Sequence, residues 1–214
     1  MTIVITGATR GIGAGLAETY RQRGETVIGT GRGTGADVRL DVSAESEFPA
    51  LSTALGQAAV SLLVCNAGVY LDKGQGLEAG YPAAQWAETF AVNVTGVFLT
   101  IQTLLPNLRR AENAKIAIIS SQMASSERAP GGSYIYRASK AAVLNLGRNL
   151  ASDLCREGIA VGIYHPGWVQ TDMGGGAADI TVEAAVSGLV ARFDELDIAS
   201  TGCFRTWDGR DLPF

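Results

Sequence analysis

Tyr136 and Lys140 stand at positions i and i+4, so on a helix their side chains share a face. A free phenol titrates near ~10 and is a poor base at neutral pH. An ammonium beside it stabilises the phenolate and is expected to lower that value. Tyr136 would then donate a proton in one direction and accept it in the other. Ser120 and Ser121 lie upstream as adjacent hydroxyls, and either can hydrogen-bond an oxygen on which charge develops.

A second chemistry is written near the start of the chain, in Thr6-Gly7-Ala8-Thr9-Arg10-Gly11-Ile12-Gly13. The run follows a β-branched segment and opens a helical one. Gly7 permits a tight turn, Gly11 lets backbone approach a pyrophosphate, and Gly13 lets helix and sheet pack closely. The helix N-terminus then faces the anion with unpaired N–H groups. No P-loop lysine is present, which argues against ATP hydrolysis. A carboxylate ending the second strand would bind the ribose hydroxyls of NAD; Gly31 stands there instead. Arg32 follows it and Arg10 lies in the glycine loop, a pairing that favours the 2′-phosphate of NADP(H) over NAD(H).

Alternating strands and helices must position these groups. Strands are predicted at Met1–Thr6, Thr26–Thr30, Ala36–Val42, Val60–Cys65, Lys115–Ser120, Ala160–Tyr164 and Gly202–Thr206. Helices are predicted over Arg10–Arg23, from a Ser43 cap to Gln57, as one or two within Pro82–Arg110, over Ser133–Glu157 and over Thr181–Asp194. Uniformly apolar strands in such an alternation imply a parallel sheet covered on both faces. Right-handed crossovers make it doubly wound, an α/β Rossmann-type domain of about seven strands. No linker or composition break divides residues 1–214, which read as one dinucleotide-binding and catalytic domain.

Composition narrows the alternatives. The 17 basic and 21 acidic residues give a net charge of −4, a poor match for a nucleic-acid backbone. With 18% of residues charged and 47% apolar, disorder is not expected. Three scattered cysteines and one histidine argue against a metal site and for a reducing, cytoplasmic setting. Met1–Thr6 is apolar but short and runs into glycines, so it reads as a strand, not a leader. Thr89–Leu108 is uncharged and long enough to span a membrane, but Asn93, Gln102, Asn107, Pro106 and its threonines read as a protein-covered helix. It is apolar around most of its circumference, which predicts a homodimer or homotetramer with Leu99 or Ile101 facing outwards.

In order along essentially the whole chain, these motifs make the sequence resemble the short-chain dehydrogenase/reductase family. The glycine loop matches TGxxxGIG, Tyr136-Arg137-Ala138-Ser139-Lys140 matches YxxxK, and Asn66-Ala67-Gly68 matches the family's NAG. The ending, His165-Pro166-Gly167-Trp168-Val169-Gln170-Thr171-Asp172-Met173 with Trp207-Asp208-Gly209, is similar to the branch holding sniffer-type carbonyl reductases and bacterial C-factor-like proteins.

The resemblance implies a catalytic set of Asn93, Ser121, Tyr136 and Lys140, with the second serine of the pair carrying the function. It implies that Asn93 holds a water linking Lys140 to solvent, and that Asp41 contacts adenine. Further cofactor contacts implied are Gly7, Thr9, Arg10, Gly11, Ile12, Gly13, Arg32, Val42, Asn66, Ala67, Gly68, Pro166, Gly167, Val169 and Thr171. Ser121 precedes Tyr136 by slightly more than is usual, so the Ser125–Ser133 loop carries a small insertion. Tyr70, Met123, Trp168 and Met173 are candidates to line the substrate side, and the short glycine-rich Gly174–Ile180 segment predicts an open pocket accepting varied carbonyl or alcohol compounds. His165 reads as structural. The leading function is NADPH-dependent carbonyl reduction; the rival is a cofactor-binding sensor or signalling protein with little turnover.

Overall fold

The computed structural model describes residues 1–214. Seven parallel strands form one sheet in the order β3-β2-β1-β4-β5-β6-β7. They are β1 (Thr2–Thr6), β2 (Thr26–Gly31), β3 (Val38–Arg39), β4 (Leu62–Cys65), β5 (Lys115–Ile119), β6 (Ala160–His165) and β7 (Phe204–Thr206). The chain winds outwards from β1 to β3, then returns to pair β4 with β1 and builds the other half. The order reverses between β1 and β4, and a crevice opens there at the carboxyl ends of the strands.

Helices cover both faces. On one, α1 (Gly11–Gln22) and α6 (Val182–Glu195) bury Leu16, Tyr20, Leu189 and Phe193 against Ile3, Ile5, Val64 and Ile119. On the other, α2 (Phe48–Leu55), α4 (Gly96–Leu108) and α5 (Tyr134–Leu154) cover Val4, Leu63, Cys65, Ile116 and Ile163. Period-2 alternation sends neighbouring strand residues to opposite cores. The long α5 lies close to the sheet because Gly147 has no Cβ; one there would come within 2.7 Å of Ile163 Cγ1.

Two element boundaries differ from the sequence reading. The predicted strand Ala36–Val42 shrinks to Val38–Arg39, because this edge pairs with β2 only through Thr30↔Val38 and Gly31↔Arg39. Before it, the Asp37 carboxylate takes the Gly29 N–H at 2.7 Å, replacing a ladder bond. Ser43 does not cap a helix either. Its N–H and hydroxyl both donate to Asp41 Oδ1, at 2.9 and 2.6 Å, in a local turn. The helix starts later, after a 3₁₀ turn at Glu45–Glu47.

The Pro82–Arg110 region holds α3 (Ala83–Phe90), a π-helical turn at Ala91–Thr95, and α4. The whole run Ala83–Leu108 is long and apolar enough to cross a membrane by length and composition. In this fold it packs Val97, Ile101, Leu104 and Leu108 into the core. Ile101 is therefore buried, Leu99 is half-buried, and the outward aromatic of α4 is Phe98, 39% exposed.

Candidate active site

The glycine loop closes the amino-terminal half of the crevice. Gly7 and Gly11 take left-handed φ values of +67° and +53°. A Cβ on Gly13 would collide with the Gly7 carbonyl and come within 2.5 Å of Asn66 Nδ2. Asn66 locks the loop to β4: its side chain donates to the Thr6 and Gly7 carbonyls at 2.9 and 3.1 Å. The Thr6 hydroxyl in turn accepts the N–H groups of Asn66 and Ala67 at 3.0 and 3.1 Å. No side chain caps α1 and no acidic residue occupies its first turn, so its positive end is open towards the crevice. A compact backbone cradle facing an uncapped helix N-terminus fits a dinucleotide pyrophosphate.

At the adenosine end the structure explains Gly31. A Cβ there would lie 2.7 Å from Thr9 Cγ2, so the position is closed to any side chain while Thr9 stays put. Arg32 is exposed and only loosely paired with Asp41, at 3.9 Å. Arg10 reaches across the crevice to Asp172 at 2.8 Å, with both side chains largely exposed. Thr171 packs beneath this bridge, within 3.3 Å of where a Gly11 Cβ would stand. Val42 does not border the crevice through its side chain; it is buried in the core against Gly96. Ile12 packs at the edge of the core under α1.

The four candidate catalytic side chains converge beyond β5. Lys140 is buried and donates to the Ile119 carbonyl at 3.0 Å. Its ammonium lies 5.6 Å from the centre of the Tyr136 ring. Ser120 turns away, giving its hydroxyl to the Lys140 carbonyl at 3.1 Å. Ser121 instead accepts the Met123 N–H at 3.1 Å, and its hydroxyl is near enough to Tyr136 to favour the phenolate.

The expected lowering of the Tyr136 pKa by Lys140 is not found. Burial raises the phenol well above its usual range; the Ser121 hydroxyl pulls it down, while Tyr70 and Asp72 push it further up. Burial also lowers Lys140, to about 8, so the cation is itself costly here.

Asn93 sits in the π turn and is almost wholly buried. Its Oδ1 accepts the Val69 N–H at 2.9 Å, while Nδ2 donates to the Val69 carbonyl at 2.9 Å and to Ser139 Oγ at 3.0 Å. Ser139 passes its own proton to the Tyr136 carbonyl at 2.8 Å. Both amide hydrogens of Asn93 are thus spent on protein groups. The residue organises the loop after β4 and the first turns of α5. Gly68 lies beside it: a Cβ there would stand 3.4 Å from Asn93 Oδ1 and 3.5 Å from Lys140 Nζ.

On the substrate side, Tyr70 stacks on Tyr136 with ring centres 4.2 Å apart, and its hydroxyl pairs with Ser133. Met123 is half-buried beside Ser121. Trp168 and Met173 are 46% and 41% exposed, further out. Trp168 Nε1 donates to the Gly174 carbonyl at 2.9 Å, closing the glycine-rich segment on itself. Pro166, Gly167 and Val169 lead from β6 into that segment, and Val169 bridges to Ile180. His165 lies at the end of β6 with its Nδ1 buried and unpartnered, and burial lowers its pKa to about 4.

Sequence reasoning missed Asp72, Lys73 and Ser139. Lys73 reaches the Met173 and Gly174 carbonyls at 3.4 and 3.3 Å. Asp72 is fully buried at the amino end of α5. Ser139 lies inside the YxxxK motif, so its position was visible although its bonds were not.

Comparison with known proteins gives the same picture. A family model described as short chain dehydrogenase matches residues 1–181. The chain is 32% identical to the 1-hydroxy-2-glutathionyl-2-methyl-3-butene dehydrogenase of Rhodococcus sp., covering 100% of this chain and 99% of that one. It is 35% identical to the C-signal protein of Myxococcus xanthus, over 77% of this chain and 99% of the other. An NADPH-bound carbonyl reductase from chicken fatty liver superposes with a TM-score of 0.90 at 25% identity, covering 100% of this chain and 98% of that chain.

Proposed function

Because the chain belongs to the short-chain dehydrogenase family, we propose that it is an oxidoreductase that reduces a small ketone or aldehyde with NADPH and runs the reverse oxidation of the alcohol. The observation that carries this reading is the convergence of Ser121, Tyr136 and Lys140 at the end of β5, beside a cradle fit for a dinucleotide. NADPH, when bound, supplies the hydride that adds to the carbonyl carbon. Tyr136 gives its phenolic proton to the carbonyl oxygen, completing the alcohol. Ser121 hydrogen-bonds the same oxygen as negative charge grows on it. Lys140, whose pKa of about 8 leaves it mostly cationic at neutral pH, offsets the phenolate left behind.

The preference for NADPH is supported by the absent side chain at position 31 and by the exposed Arg32 beside it, with Arg10 of the glycine loop, paired with Asp172 here, as the second candidate. Asp41, with Arg32 alongside, fits the adenine end. The NADPH-bound chicken enzyme agrees with this choice. A purely cofactor-sensing role is not favoured, because binding alone requires no proton donor backed by a buried cation. Tyr70, Met123, Trp168 and Met173 form the substrate wall in this reading, and their open placement favours varied small carbonyl compounds over one tightly enclosed ligand. Phe98 is the exposed aromatic of α4 on which a homo-oligomer would pair in this reading, and the three unpaired cysteines fit a cytoplasmic setting.

The test is turnover of a carbonyl panel with NADPH alongside Tyr136→Phe. Losing the proton donor is expected to cost about 10²–10⁴ in rate with cofactor affinity retained. Ser121→Ala should cost more than Ser120→Ala. Near-parental turnover by Tyr136→Phe refutes the assignment.

A further inference from the structure

Asp72 lies in the loop after β4 with its side chain fully buried, and it belongs to none of the chain's ion pairs. A buried carboxylate without a cation is costly unless hydrogen bonds satisfy it. Here they are backbone bonds from the first turn of α5. Asp72 Oδ2 accepts the Ile135 N–H at 2.8 Å, and both oxygens lie 3.3 Å from the Tyr136 nitrogen. First-turn N–H groups have no partner inside their own helix and form its positive end. The residue that would ordinarily cap them, Ser133, cannot do so. It is held left-handed at φ +49°, and its hydroxyl is taken by Tyr70.

We propose that Asp72 is a positioning residue for Tyr136: its buried carboxylate caps the first turn of α5, fixing the turn that carries the phenol and setting a negative charge behind it. The proposal rests on Tyr136 acting as the proton donor. Four groups bear on the phenol. Tyr70 stacks on its ring, Ser121 acts on its hydroxyl to favour the phenolate, Lys140 stands 5.6 Å from the ring centre, and Asp72 binds its backbone. Only Asp72 among them is an anion; its effect on the phenol is upward, behind the larger effects of burial and Tyr70, and opposed by Ser121. Asp72 is itself held in place by Asn93, which fixes the loop at Val69.

The test compares Asp72→Asn, which keeps the shape and removes the charge, with Asp72→Glu, which keeps the charge. Carbonyl reduction and alcohol oxidation are measured across pH at saturating cofactor. The limb governed by Tyr136, identified by its loss in Tyr136→Phe, should move to lower pH in Asp72→Asn. In Asp72→Glu it should stay near the parent while turnover slows. A rate loss at every pH with an unmoved limb in Asp72→Asn is a structural effect only and overturns the proposal. Amide hydrogen exchange of Ile135 and Tyr136 provides a second readout that needs neither substrate nor cofactor. Both amides should be protected in the parent and exchange at least ~10-fold faster in Asp72→Ala, as expected when a helix cap is lost. Rapid exchange in the parent overturns the cap even if no variant folds. Absent turnover in the parent refutes the proposed activity, while the exchange data still decide whether Asp72 holds the turn.

Discussion

Replacing Asn93 with alanine separates two roles that the residue can play. If it works chiefly through a water near Lys140, Asn93→Ala should slow turnover and leave the fold nearly as stable as before. The hydrogen bonds of the side chain give a different expectation. They satisfy the N–H and carbonyl of Val69 and one bond of Ser139, in a site only 1% exposed. Ser139 keeps its bond to the Tyr136 carbonyl, so two groups, both on Val69, lose their partner. Leaving a buried polar group unpaired costs ~1–3 kcal/mol, so two cost roughly 2–6 kcal/mol before water enters the space. That is a large share of the ~5–15 kcal/mol that holds a typical domain together. Asn93→Asp should fall between parent and alanine, because it can still accept the Val69 N–H but turns a second oxygen towards the Val69 carbonyl. Urea denaturation of the three proteins, with turnover measured on the same samples, reads both roles. An alanine variant within about 0.5 kcal/mol of the parent, yet slow in turnover, would refute the scaffold argument, since ordinary surface changes have effects of that size.

Arg32→Ala should weaken NADPH roughly 10–150-fold and NADH little, the value of one charged hydrogen bond at ~1.5–3 kcal/mol; equal loss for both cofactors, by fluorescence titration, counts against a 2′-phosphate contact. Gly31→Asp alone is expected to weaken both cofactors, because its Cβ would meet Thr9 Cγ2 at 2.7 Å, and only with Thr9→Ser added should preference move to NADH. His165 is neutral in the fold down to about pH 4 but titrates near ~6.5 when unfolded, so the unfolded chain binds more protons between those values. Stability should therefore fall as pH drops through that window, by roughly 3 kcal/mol at most, and the His165 contribution should be flat above it. His165→Leu should lose this slope, and an unchanged slope in denaturation curves at several pH values shows that another group is responsible. Phe98→Glu should dissociate the proposed oligomer in sedimentation runs at micromolar concentration, and a parent chain that already sediments at its 22.3 kDa monomer mass removes the oligomer altogether.

The residues that speak clearly in the sequence are those whose neighbours along the chain define their surroundings. Gly7, Gly11 and Gly13 fall between a strand and a helix, and their spacing alone fixes a turn, an approach and a packing contact. Tyr136 and Lys140 share a helical face by periodicity, and α5 carries them as expected. The central strands β1, β4, β5 and β6 are uniformly apolar because helices cover both faces, and they appear near their predicted places. At the edge this logic weakens. The segment Ala36–Val42 has strand-like residues but one pairing neighbour, and the Asp37 carboxylate replaces part of the ladder. Ser43 has the right type for a helix cap, but Asp41 two residues earlier captures it first.

What stays hidden is the support behind the reactive groups. Asp72 and Tyr70 meet the start of α5 only because β4 and β5 are adjacent in the sheet, which brings the loop after β4 over the helix that follows β5. No periodicity relates residues so far apart. The sign of the Tyr136 shift is hidden for the same reason: the i, i+4 lysine is readable, whereas the burial that raises the phenol is a property of the packed fold. The two effects together have a functional consequence. A phenol held high keeps its proton and is the weaker acid, so its proton leaves only where the phenolate is offset, and Lys140, still largely cationic at neutral pH, supplies that charge. The protein alone therefore favours the protonated side of the reaction. Oxidation of an alcohol needs a further positive charge beside Tyr136, and the oxidised nicotinamide brings one only when it is bound. In the proposed reaction, the form of the cofactor bound would then decide whether Tyr136 serves as donor or acceptor, with Asp72 holding the turn that carries it.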